Sequence, residues 1–127
     1  MFWNCSNLTS FESNVNSLIY GDSMFYCCTS LPNFCKAEYS YSADLSQFNN
    51  DLKHLKFGNY MFCGCSNLTT FDSSLDNLEV GDYMFNFCTT LKEFENDMRN
   101  LKRGAQMFYY CTDLSSFNSD LRSLEMG

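Results

Sequence analysis

The sequence predicts a repeat solenoid, a stack of coils with one short parallel β-strand per coil and otherwise turns and irregular or short helical segments. Three observations predict it. The frame M-F-x-x-C-x-x-L-x-x-F-x-x-x-[LVM]-x-x-L-x-x-G recurs, with Met61, Met84 and Met107 setting a period of 23 residues. Each period holds one phenylalanine between polar neighbours, the out-in-out pattern of a short strand. Each closes on a glycine where the chain must turn. A fixed period of this size marks units that bury their apolar face only against the next unit.

Taken in order, the whole chain, residues 1–127, forms a single domain of five repeats. The first spans 1–23, MFWNCSNLTSFESNVNSLIYGDS. The second spans 24–60 and is interrupted: Met24, Phe25, Cys28 and Leu31 open it, and the frame resumes at Leu45, Phe48, Leu52, Leu55 and Gly58. The surplus lies near residues 32–43 (PNFCKAEYSYSA), which hold the chain's one proline. Repeat insertions map to loops, and lengthening a surface loop adds little closure entropy, so this segment is expected to leave the stack. The regular repeats follow at 61–83, 84–106 and 107–127.

Every invariant apolar position should become an inward row. Phe11, Phe48, Phe71, Phe94 and Phe117 form one. Leu8, Leu45, Leu68, Leu91 and Leu114 form a second, and Leu18, Leu55, Leu78, Leu101 and Leu124 a third. The Met-Phe pairs add another. Each buried Phe or Leu contributes roughly 1.5–3 kcal/mol of transfer free energy. The frame glycines Gly21, Gly58, Gly81 and Gly104 are expected in turns that use their tolerance of positive φ.

The string F-x-x-C-[ST]-x-L, as in Phe62, Cys65, Ser66 and Leu68 and again in the other coils, resembles the BspA-like branch of leucine-rich repeats. That branch carries A-F-x-x-C-x-x-L-x-x-I at the same period. Here Met stands where the family has Ala, and F-x-x-x-[LVM] replaces its I-x-I-P-x-S-V strand run. The resemblance implies a right-handed leucine-rich-repeat coil stack. It also implies a non-enzymatic binding or adhesion module on a cell surface, extracellular or on a virion.

Charge and composition narrow the function classes. The net charge is −7, from 15 acidic against 8 basic residues, so nucleic-acid binding is not expected, because phosphate neutralisation needs a basic face. No apolar run reaches the roughly 20 residues of a membrane span, so no membrane insertion is expected. The chain opens and closes in mid-pattern and reads as a fragment of a longer array. Met1 and Phe2 at one end, and Leu121, Leu124 and Met126 at the other, have full core character, so self-association through uncapped ends is also expected.

No catalytic, cofactor-binding or metal-ligating set stands out. Cys5, Cys28, Cys65, Cys88 and Cys111 recur once per coil and read as a buried structural ladder of small apolar side chains. Cys27, Cys35 and Cys63 lie off the frame, without the paired C-x-x-C spacing of a zinc site. Cys35 has Cys27 and Cys63 as candidate disulfide partners. His54 shares its row with Ser17, Asn77, Asn100 and Ser123, which supply no nucleophile and orienting pair, so it reads as a solvated surface side chain. Asn4, Asn7 and Asn67 open N-x-[ST] sequons.

Two rows of charge favour register. Lys56, Glu79, Lys102 and Glu125 alternate in sign on successive coils, and Asp76 lies between Lys53 and Arg99 on a nearby row. Two surfaces remain for recognising a protein or carbohydrate ligand. The first is the exposed flank of the strands: Ser10, Glu12, Gln47, Asn49, Thr70, Asp72, Glu93, Glu95, Ser116 and Asn118. The resemblance points to this sheet face. The second is an aromatic patch after the Met-Phe pairs: Trp3, Tyr26, Phe87, Tyr109 and Tyr110. The alternative to an adhesion module is a structural spacer or self-assembling fibre unit.

Overall fold

The structure, a computed structural model, describes Phe11 and residues 14–26, 47–48 and 50–127. The insertion, Cys27, Cys28, Cys35, Met1, Phe2, Trp3, Cys5, Ser10, Glu12 and Asn49, all singled out above, lie outside the described residues.

Four strands centre on the frame phenylalanines: β1 (Gln47–Phe48), β2 (Thr70–Phe71), β3 (Glu93–Glu95) and β4 (Ser116–Asn118). β1 pairs with β2 and β3 with β4, both parallel, with Phe48 opposite Phe71 and Phe94 opposite Phe117. The expected continuous sheet is thus divided into two pairs. Phe71 and Phe94 still stack across the division, with ring centroids 6.1 Å apart. At that junction the Thr90 hydroxyl donates to the carbonyls of Ser66 and Leu68, at 2.7 and 3.2 Å.

A second ladder, not anticipated from the frame, runs without a break. Tyr20, Phe57, Val80, Arg103 and Met126 are linked one to the next by parallel bridges. Just beyond it the N–H groups of Gly21, Gly58, Gly81 and Gly104 donate to the carbonyls of Phe57, Val80, Arg103 and Met126. Further along, Phe25, Phe62 and Phe85 donate to Met61, Met84 and Met107, each at 2.9 Å. Between these ladders the backbone closes four-residue turns: Met61 donates to Gly58, Cys65 to Phe62, Leu68 to Cys65. Among the described residues there is no helix.

The core is two rows of phenylalanine. Phe25, Phe62, Phe85 and Phe108 stack at 5.4–5.5 Å. Phe11, Phe48, Phe71, Phe94 and Phe117 stack at 5.7–6.3 Å. Each ring of one row meets rings of the other edge-on, as Phe71 meets Phe85 at 4.8 Å. Offset and T-shaped pairs are worth roughly 0.5–1.5 kcal/mol each beyond burial. Burial falls in the last described coil: Phe94 is 0 % exposed, whereas Phe117 is 45 % exposed.

The frame glycines are not where φ turns positive. Among the described residues, the left-handed positions are Ser23, Tyr60, Tyr83 and Gln106, two residues after each frame glycine, and Gly64, Phe87 and Tyr110, three after each methionine. Glycine suits Gly58 for space: a Cβ there would lie 3.2 Å from the ends of the Leu55 and Met84 side chains, which would have to give way. Polar ladders add to the stack. Asp22 Oδ1 accepts from the Asn59 N–H, Asn59 Oδ1 from Asp82, and Asp82 Oδ1 from Ala105, at 2.8–3.0 Å.

Candidate binding face

The strands position the candidate face. In β3 the exposed Glu93 and Glu95 flank the buried Phe94, and Thr70 and Asp72 flank the buried Phe71. Alternation across a pleat forces this: the ring fills the core and its neighbours point outward. Thr70, Phe71, Asp72, Glu93 and Glu95 line a shallow open depression of about 240 Å³. Asn118 extends the face in β4 as an exposed residue, and Ser116 is half-buried. Gln47 lies in register with Thr70. The described ion pairs leave these carboxylates out: Lys53 binds Asp51, Arg99 binds Asp97, Arg122 binds Asp120 and Arg103 binds Asp82.

The alternating charge row forms in part. Glu79 binds Lys56 at 3.1 Å and Lys102 at 2.9 Å. Lys102 and then Lys56 hold its carboxyl below the ordinary value. The nearby row does not form as expected. Lys53 and Arg99 fold back onto Asp51 and Asp97 within their own coils, and no described ion pair joins either to Asp76. Two residues apart, each carboxylate accepts both the side chain and the backbone N–H of its partner, as Asp97 does from Arg99. Asn77 and Asn100, on the row of the exposed His54, tie the coils instead: their amides donate to Lys53 and Asp76 carbonyls at 2.6 and 2.7 Å.

The aromatic candidates gather into two groups. Tyr109 and Tyr110, each 51 % exposed, pack with Phe87; the Phe87 and Tyr110 rings stack at 4.9 Å. Tyr26 is on a separate group, edge-on to Tyr60, which stacks on Tyr83 at 4.7 Å.

Cys65 and Cys88 are fully buried and Cys111 half-buried, all as free thiols. Their ladder is more than apolar filling. The Cys65, Cys88 and Cys111 thiols donate to the carbonyls of Phe25, Phe62 and Phe85, one coil back, at 3.8, 3.3 and 3.2 Å. Burial pushes the Cys88 thiol well up and the Cys111 thiol up to about 11. Cys63 is also a free thiol, 3.8 Å from Asn86 Oδ1, and burial pushes it up to about 12. Thiols so shifted stay protonated and unreactive at neutral pH. No group of three metal-ligating side chains stands together among the described residues.

A family model for the BspA type leucine rich repeat region matches in six copies, over residues 1–50 and 34–125. The chain belongs to this family. Leucine-rich-repeat chains of this kind fold as solenoid-like stacks of repeats, and the BspA-type match runs across the insertion near residues 32–43 as well as the regular repeats. Neither the comparison with curated proteins nor that with solved structures finds a match. Among the described residues, no helix is long and apolar enough to cross a membrane.

Proposed function

We propose that the chain is a right-handed leucine-rich-repeat solenoid acting as a non-enzymatic binding or adhesion module at a cell or virion surface. Its ligand is a protein or a carbohydrate, met on the strand face. BspA-type repeats are typically surface- and adhesion-related. The observation that carries the reading is the strand face itself. Thr70, Asp72, Glu93 and Glu95 stand exposed beside the buried rings of Phe71 and Phe94, and none of the described ion pairs takes up the three carboxylates. A face whose charge is not neutralised from within suits a ligand bearing donors or positive charge. The test compares the chain with a triple variant, Asp72→Asn, Glu93→Gln and Glu95→Gln, for binding to arrayed glycans and to intact cells. Loss of binding at unchanged Tm, together with weakening of wild-type binding by salt, is the expected result. Undiminished binding by the folded variant would overturn the strand-face reading.

A second reading, a self-assembling structural unit, draws on the exposed rings and chains of the last described coil. Phe117 and Met126 are 45 % and 56 % exposed, whereas Phe94 at the same frame position as Phe117 is 0 %. Light scattering over a concentration series separates the readings. A monomer at every concentration excludes self-assembly; an oligomer abolished by Leu121→Lys and Met126→Lys supports it.

A further inference from the structure

We propose that Asn67 is an N-glycan acceptor, modified when the chain passes through a eukaryotic secretory compartment. This rests on the surface reading above for its setting, and on the structure for its geometry. Asn67-Leu68-Thr69 is a complete sequon with a residue other than proline in the middle. Asn67 is exposed in a turn, while its neighbours Ser66 and Leu68 are 5 % and 0 % exposed. Leu68 is anchored in the core, so its position fixes the turn and leaves the asparagine on the outer arc. The same triplet recurs at Asn7-Leu8-Thr9, in the same phase of the frame, outside the described residues. At the matching positions of the next coils stand Thr90 and Asp113, which cannot accept a glycan on an amide.

The chemistry is that of any N-linked transfer. The Asn67 amide nitrogen attacks the anomeric carbon of a lipid-linked oligosaccharide. The N–C bond forms as the bond from that carbon to the lipid diphosphate breaks. The diphosphate leaves with the electron pair, and the amide gives up a proton. The resulting glycan is bulky and hydrophilic. On an exposed turn it projects into solvent, and the buried rows beneath it are undisturbed. A modified chain therefore keeps its stack, which a sequon on a buried row would not allow.

The experiment translates the full chain behind a cleavable secretion leader in the presence of endoplasmic-reticulum microsomes, with the Asn4 and Asn7 sequons removed by Asn→Gln changes. The expected result is a single slower-migrating band, collapsed by peptide-N-glycosidase, lost in Asn67→Gln and in Thr69→Ala, and retained in Thr69→Ser. An unshifted chain, beside a control protein that is glycosylated in the same reaction, overturns the proposal. So does a shift that survives Asn67→Gln. Thr69→Ala and Thr69→Ser guard against a folding effect, because both leave Asn67 in place. Because the leader imposes secretion, a negative result speaks against Asn67 and not against the surface reading. That reading has its own test in the strand-face variants.

Discussion

The Cys88 thiol lies 3.3 Å from the carbonyl oxygen of Phe62 in the preceding coil and donates to it. The same oxygen already accepts the Cys65 N–H, at 3.0 Å. One carbonyl thus closes a turn in its own coil and ties down the coil that follows. Cysteine suits the position because it is small enough for a 0 % exposed site and still carries a donor.

Replacing Cys88 therefore tests donation against packing. Cys88→Ala removes the donor and leaves a small void, and should destabilise by about 1–2 kcal/mol. Cys88→Ser keeps a donor facing the Phe62 carbonyl and should be milder. Urea denaturation of both variants checks this. A serine variant less stable than the alanine one would mean that burying the hydroxyl costs more than its hydrogen bond returns, and would remove donation as the reason for a cysteine there.

Alkaline pH should weaken the fold through the same thiols. Their folded values are raised above the ordinary 9.0, to about 12 at Cys63 and about 11 at Cys111, with Cys88 also well up. A folded value above the unfolded one means that the unfolded chain releases its protons first. The contribution is fully present below pH 9 and is lost as pH rises through the folded values. Each thiol adds at most about 1.4 kcal/mol of loss per pH unit in that window. Denaturant midpoints measured at steps from pH 8 to 11 should fall, and Cys63→Ala should flatten the decline.

Glu79 joins three coils through Lys56 and Lys102. Glu79→Lys would set three cations in one row and should lower Tm, with added salt restoring part of the loss. In the parent, the carboxylate's lowered value means that its contribution is present above its ordinary value of 4.5 and fades as pH falls. A Glu79→Lys variant whose Tm matches the parent at low salt would remove the row from the account of stability.

Two substitutions separate space from backbone angle. Gly58→Ala forces a Cβ to within 3.2 Å of Leu55 and Met84, and overpacking of this kind costs about 1–3 kcal/mol. Gln106 is exposed with φ of 51°, so Gln106→Gly relieves a left-handed non-glycine and should stabilise by up to about 1 kcal/mol. Thermal denaturation of the two variants should move in opposite directions.

The inward rows were legible because they are written in side chains. Phe71, Leu68 and Cys65 repeat at a fixed period and land where the frame puts them. The ladder through Tyr20, Phe57, Val80, Arg103 and Met126 was not legible: its residues share no chemistry, since only their backbones meet. The left-handed positions were misassigned for a related reason. Glycine is the usual signal of positive φ, yet here Tyr60, Tyr83 and Phe87 hold that angle. The strand face was legible by alternation around each phenylalanine. The pairing of Lys53 and Arg99 with acids of their own coils was not, because the choice between a partner two residues away and one a coil away depends on rotamers.

The ladders also set how such a chain can change in length. Bridged residues on neighbouring coils sit one period apart, as Val80 and Arg103 do, and so do the Lys102 N–H and the Glu79 carbonyl that accepts it. Losing one residue from the middle of a coil shifts the phase of every inward row after it within that coil. Losing 23 shifts none, because Met84 can follow Tyr60 with the same neighbours that Met61 has. Within the stacked rows length comes in whole steps, any surplus such as that near residues 32–43 having to leave them, and gene duplication that copies one step yields a register that is correct from the outset.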